Sequence, residues 1–148
     1  MEAINRYTSE EVLGIFQANY LQQQQFDTEI ELGEELNLET TINEWRSICD
    51  LLDPYELAES FNYFFELSIS LEQWLLVLEP EEVKTLGDLC KFISENAVKP
   101  FIKPVKIFGS DCESAATFKY LMNRFNQKGI MTAMIQPSSS IEPFAKEN

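Results

Sequence analysis

Apolar residues recur along the first two thirds of the chain at intervals of three and four, the spacing of helices that bury one face. Thr8-x-x-Glu11 is a capping box in front of Val12, Leu13, Ile15, Phe16 and Tyr20, and predicts a helix to about Gln24. A long polar stretch follows. In it Leu36, Leu38, Ile42 and Trp45 are spaced too irregularly for a helix and read as anchors holding a crossing loop against a core. Asp53-Pro54-x-Glu56 supplies an N-cap, a first-turn proline and an N3 carboxylate. A second helix therefore starts at Asp53, or one turn earlier at Asp50, with Leu57, Phe61, Phe64 and Phe65 in its apolar stripe and Tyr63 at the margin. Ser70-x-x-Gln73 opens a short third helix through Trp74, Leu75 and Leu78, stopped by Glu79-Pro80. Thr85-x-x-Asp88 opens a fourth, whose buried face is Leu86, Leu89, Cys90, Phe92 and Ile93. Four helices with one long first loop make a bundle the economical architecture for residues 1–98.

The pattern changes across Lys99-Pro100 and Lys103-Pro104, two prolines that each bias their predecessor away from helix and so form a connector. Beyond it, residues 105–108 read as a strand and Gly109-Ser110 as a turn and cap. Residues 112–128 then read as a helix burying Ala116, Phe118, Leu121, Met122 and Phe125. Gly129 ends that helix, residues 130–135 read as a second strand, and residues 136–148 as irregular. The predicted fold class is mainly α, a four-helix bundle over 1–98 with a small strand-helix-strand α/β extension over 99–148. The extension is too small to fold alone, so it is expected to pack on the bundle or to join subunits into a homo-oligomer.

Charge follows the same division. Residues 1–98 carry 21 acidic and four basic side chains, net −17, and residues 99–148 carry four and seven, net +3, for −14 over the 148 residues. Such acidity disfavours nucleic acid as a partner and favours a basic protein surface. A 45% hydrophobic composition excludes wholesale disorder. The absence of histidine excludes imidazole bases, histidine triads and histidine-containing zinc sites. Cys49, Cys90 and Cys112 lie far apart with no CxxC pair, so neither a disulfide framework nor a cysteine metal site is indicated, and a cytoplasmic location is expected. No run approaches a membrane span, the first residues lack a signal-peptide pattern, and phosphate-loop and calcium-loop spacings are missing. Neither a membrane, a metal nor a cofactor is expected.

Residues 50–93 carry a family resemblance. Asp50-Leu51-Leu52-Asp53, Glu56-Leu57, Phe65, Leu67 and Ile69, followed by Thr85-Leu86-Gly87-Asp88-Leu89, resemble the helices of an acyl carrier protein. Leu38-x-x-Thr41-Ile42-x-x-Trp45 is similar to that family's first loop, so the likeness spans about residues 8–96. The resemblance implies a four-helix carrier bundle whose acidic helix docks on basic patches of partner enzymes. Two departures stand out: the segment from Ile69 to Thr85 is longer than in the family, and the position of the phosphopantetheine-bearing serine is Leu51, or Pro54 if the helix is aligned from its Asp53 cap. Neither side chain offers an oxygen nucleophile, which points to a carrier-like domain without the covalent cofactor.

The expected function is therefore a non-catalytic adaptor or regulatory module, with Asp50, Asp53, Glu56 and Glu59 as its partner-binding carboxylates; ordinary solvated helix surface is the plain alternative. Trp45, Trp74 and the Phe61, Tyr63, Phe64, Phe65 cluster read as core, with an acyl-sized cavity as the rival reading. Three other functions compete. One is an atypical carrier modified at another serine such as Ser47. Another is a thiol-dependent site at Cys112, beside a predicted helix N-terminus but flanked by Asp111 and Glu113, which oppose a thiolate. The third is an acidic chaperone or nucleic-acid mimic.

Overall fold

A computed structural model describes residues 3–26, 35–49 and 53–136. Among them the chain is mainly helical, with six helices and one two-stranded antiparallel sheet. It divides into two compact units, Met1–Lys99 and Pro100–Asn148.

The first unit contains α1 (Ser9–Phe26), α2 (Ile42–Cys49), α3 (Pro54–Phe64), α4 (Leu71–Leu78) and α5 (Leu86–Asn96). Their starts are chemically specified. At α1, Thr8 and Glu11 exchange hydrogen bonds, at 3.1 Å from the Glu11 N–H to the Thr8 hydroxyl and 2.9 Å from the Thr8 N–H to the Glu11 carboxylate. The Asp53 carboxylate accepts from the N–H groups of Tyr55 and Glu56, and reciprocal boxes start α4 at Ser70 and α5 at Thr85. The long polar stretch differs from expectation, because α2 lies within it. Thr41 and Glu44 form a fourth box, with the Glu44 N–H donating to the Thr41 hydroxyl at 3.1 Å and the Thr41 N–H to the Glu44 carboxylate at 2.8 Å. Ile42, Trp45 and Cys49 then fall on one buried face at i, i+3 and i+7. Leu36, Ile42 and Trp45 are buried and Leu38 half-buried, so the expected anchors do face the core.

Helix α1 packs along α5, and α4 lies against both α3 and α5. Val12, Phe16, Leu57, Phe61, Trp74, Leu78, Leu89 and Ile93 are among the core residues they bury together. A run of aromatic rings crosses it, with centroids 5.0 Å apart for Phe16–Trp45, 5.3 Å for Phe61–Trp74 and 5.1 Å for Trp74–Phe92. Two members of the expected α3 stripe are misplaced: Tyr63 and Phe64 are exposed, because Leu57, Ala58, Phe61 and Phe65 already fill the inward face. The segment before α2 is fastened to the start of α5 by backbone bonds of 2.8 Å from Ile42 to Lys84, Leu86 to Thr40 and Gly87 to Leu38. Both ends of the unit are tied together as well. Arg6 bridges Val98, its guanidinium donates to the Glu95 carbonyl, and Lys99 pairs with Glu11.

The second unit is not strand-helix-strand. Both strands, β1 (Lys106–Ile107) and β2 (Ser110–Asp111), precede α6 (Glu113–Gln127) and pair antiparallel, Lys106 opposite Asp111 and Ile107 opposite Ser110. Phe108 at φ 52° and Gly109 at φ 80° form the two-residue turn, the positive-φ pair that matches the twist of a tight hairpin. With β1 paired in that hairpin, residues 130–135 are irregular rather than a strand, with one turn in which the Ile135 N–H donates to the Thr132 carbonyl at 3.0 Å. Helix α6 ends in a Schellman arrangement, Gly129 at φ 79° donating to Asn126 and Ile130 to Phe125. Of its expected buried face only Ala116 is buried; Phe118, Met122 and Phe125 are half-buried and Leu121 is exposed. Phe101, Phe108, Met131 and Met134 of the same unit are themselves exposed rather than packed inward.

Candidate functional site

Asp50 and Leu51, the first expected partner-binding carboxylate and the residue at the carrier-serine position, lie outside the described residues. The other three carboxylates, Asp53, Glu56 and Glu59, are exposed. Asp53 is occupied with capping, accepting from Tyr55 and Glu56 at 2.9 and 3.0 Å. Pro54 follows it as the first residue of α3 and is buried. The inward side of α3 is apolar, and its outward side carries Glu56, Glu59, Ser60 and Tyr63 at i, i+3, i+4 and i+7, with Tyr55 beside them. Tyr63 is 79% exposed and Tyr55 55%. The Ser60 hydroxyl donates to the Glu56 carbonyl at 2.9 Å, leaving the two carboxylates directed to solvent.

This face lies in an unusual stretch of sequence. From Ser47 to Val83 there are nine carboxylates and no lysine or arginine. Arg46, just before it, pairs with Glu81 and joins α2 to the turn before α5. The excess of negative charge continues around α2, where a depression of about 450 Å³ is lined by Glu35, Asn37, Glu39, Asn43, Glu44 and Ser47. Hydrogen bonds from the Thr41 N–H and hydroxyl hold the Glu44 carboxyl below its ordinary value. Lys99, followed by the Thr8 N–H, does the same for Glu11. The Ser47 hydroxyl donates to the Asn43 carbonyl within its own helix, at 2.9 Å.

The thiols divide into two kinds. Burial pushes Cys49 up to about 11, and burial with the charge of Glu10 pushes Cys90 up to about 12, so both stay protonated and inert at neutral pH. Cys112 is half-buried at the start of α6, where its side chain makes no capping bond. It lines a depression of about 370 Å³ with Ile102, Val105, Asp111, Glu113 and Ala116. No second thiol is among those lining residues, and the two carboxylates there, Asp111 and Glu113, place negative charge beside the thiol, which opposes a thiolate.

Among the described residues no cluster of three or more cysteines and carboxylates could hold a metal ion, and no helix is long and apolar enough to cross a membrane. Comparison with protein-family models, curated proteins and solved structures returns no match. What the arrangement offers is electrostatic: exposed carboxylates and tyrosines side by side on the outward face of α3. The residues that sequence reading missed are Tyr55 and Tyr63, which were not assigned to the acidic face, and Glu44. For the two tyrosines the available signal is their position in the 3.6-residue cycle of α3, opposite Leu57 and Phe61, and for Glu44 it is the Thr41-x-x-Glu44 spacing of a capping box.

Proposed function

We propose that the chain is a non-catalytic, acyl-carrier-like adaptor that binds a basic protein surface through the outward face of α3. The observation that carries this reading is that face: Glu56, Glu59 and Tyr63 aligned at helical spacing, Tyr55 alongside, and no cation for a long way on either side in sequence. The carboxylates steer a cationic patch and set its register, and the tyrosines supply contact area at small conformational cost. In the carrier-like alignment α1, α3, α4 and α5 correspond to the family's helices and α2 is an addition in the long first loop. Without a hydroxyl at Leu51 or Pro54 the partner is held by surface contacts alone.

The test is retention of a basic partner by the immobilised chain and by Glu56→Lys/Glu59→Lys. Two reversed surface charges, each worth about 0.5 to 1 kcal/mol, predict a loss of roughly tenfold in affinity. Retention by the wild type should also fall as salt is raised. Equal retention by the variant contradicts the assignment to α3.

A further inference from the structure

Helix α4 exposes a second acidic face, distinct from that of α3. Glu72, Leu75, Leu76 and Glu79 stand at i, i+3, i+4 and i+7, and with Pro80, Glu81 and Glu82 they line an open depression of about 860 Å³. Leu75 and Leu76 are its apolar floor, Leu76 72% exposed, and Val83 is exposed just outside it at the end of the adjoining turn. Glu81 is engaged with Arg46, so Glu72, Glu79 and Glu82 form the charged rim. An apolar floor inside an acidic rim matches one kind of occupant, an amphipathic helix with cations flanking its apolar stripe.

The chain itself contains such a helix. Phe118, Leu121, Met122 and Phe125 lie along α6 at i, i+3, i+4 and i+7, Leu121 is 42% exposed, and Ala116 is the one buried residue among those described in that unit. Lys119 and Arg124 within the same helix and Lys128 at its C-cap carry the positive charge. We infer that α6 of one molecule seats in the α4 depression of a second copy, and that the exchange is reciprocal and closes a two-fold dimer. Charge complementarity selects this occupant. The receiving unit, residues 1–99, has net charge −16 and the donating unit, residues 100–148, +2, so two acidic chains that repel through their first units attract through this pairing. The anchors of α6 span two turns, about 11 Å, which matches the length of the eight-residue α4.

Sedimentation equilibrium on the full chain, with no partner present, tests the inference separately from the α3 reading. The wild type should reach twice its 17.1 kDa mass with rising concentration. Glu72→Lys/Glu79→Lys and Lys119→Glu/Lys128→Glu should each remain monomeric over the same range. An equimolar mixture of the two variants should recover the dimer, because each reversed helix then meets a reversed rim, and chains that had failed to fold could not recover it. A wild type that is monomeric throughout, a dimer unaffected by either reversal, or a mixture that stays monomeric overturns the proposal.

Discussion

Asn62 is the polar hinge of the core, and removing its amide has a calculable cost. Its Oδ1 accepts from the Trp74 indole at 3.0 Å and from the Ile69 N–H at 3.1 Å, while its Nδ2 donates to the Ile69 carbonyl at 2.8 Å. One side chain thus ties the end of α3 to the approach to α4. Trp74 has no accessible surface, so Asn62→Ala leaves its indole N–H buried without that acceptor. An orphaned buried donor costs about 1 to 3 kcal/mol, and the two bonds to Ile69 add roughly 0.5 to 1.5 kcal/mol each, so a loss of about 3 kcal/mol is expected. In a unit of this size that lowers Tm by roughly 10 to 20 °C. Urea unfolding followed by circular dichroism should show a lower midpoint at unchanged slope. In a Trp74→Phe background, where the indole N–H is gone, the same substitution should cost about 1 to 2 kcal/mol less. A loss under about 1 kcal/mol, or equal losses in both backgrounds, would refute the account of this core.

Gly87→Ala should destabilise by about 1 to 3 kcal/mol in urea unfolding, although alanine is the better helix former, because the new Cβ would lie 2.8 Å from the backbone oxygen of Leu38; a gain in stability would contradict that contact. Glu11 and Glu44 have lowered native values against an ordinary 4.5, so their contribution to stability is complete above that pH and is lost as pH falls through the lower native values. Thermal melts of Glu11→Gln/Glu44→Gln should therefore decline less steeply than wild type below pH 4.5, and parallel declines would refute the two caps. Phe108→Asn replaces a bulky residue at φ 52° by one that tolerates it. Hydrogen exchange at the Cys112 amide, which bonds the Val105 carbonyl at 2.8 Å beside the hairpin, should slow; faster exchange would show that the turn is not strained at that residue.

The helical unit was largely legible because its signals are local. Capping boxes at Thr8, Ser70 and Thr85 each precede a clean apolar face, and the helices start where those residues place them. Helix α2 carries the same box at Thr41 and Glu44, but Leu36 and Leu38 precede it and disturb the apolar spacing, so its three-residue seam looks in sequence like scattered anchors. The hairpin had no comparable signal. Two-residue strands are too short to show alternation, and a phenylalanine at positive φ runs against backbone preference. At the candidate site the charge of α3 was evident from composition, whereas the exposure of Tyr63 and Phe64 depended on which face of α3 the core of α1, α4 and α5 selects.

The central claim is that the chain works by surface contact and carries no covalent arm. Intact mass spectrometry of the purified protein, before and after incubation with coenzyme A and a broad-specificity phosphopantetheinyl transferase, addresses it directly. The account predicts an unchanged mass at 17.1 kDa. A gain of one phosphopantetheine group, on Ser47 or any other residue, would contradict it and make the chain a working carrier.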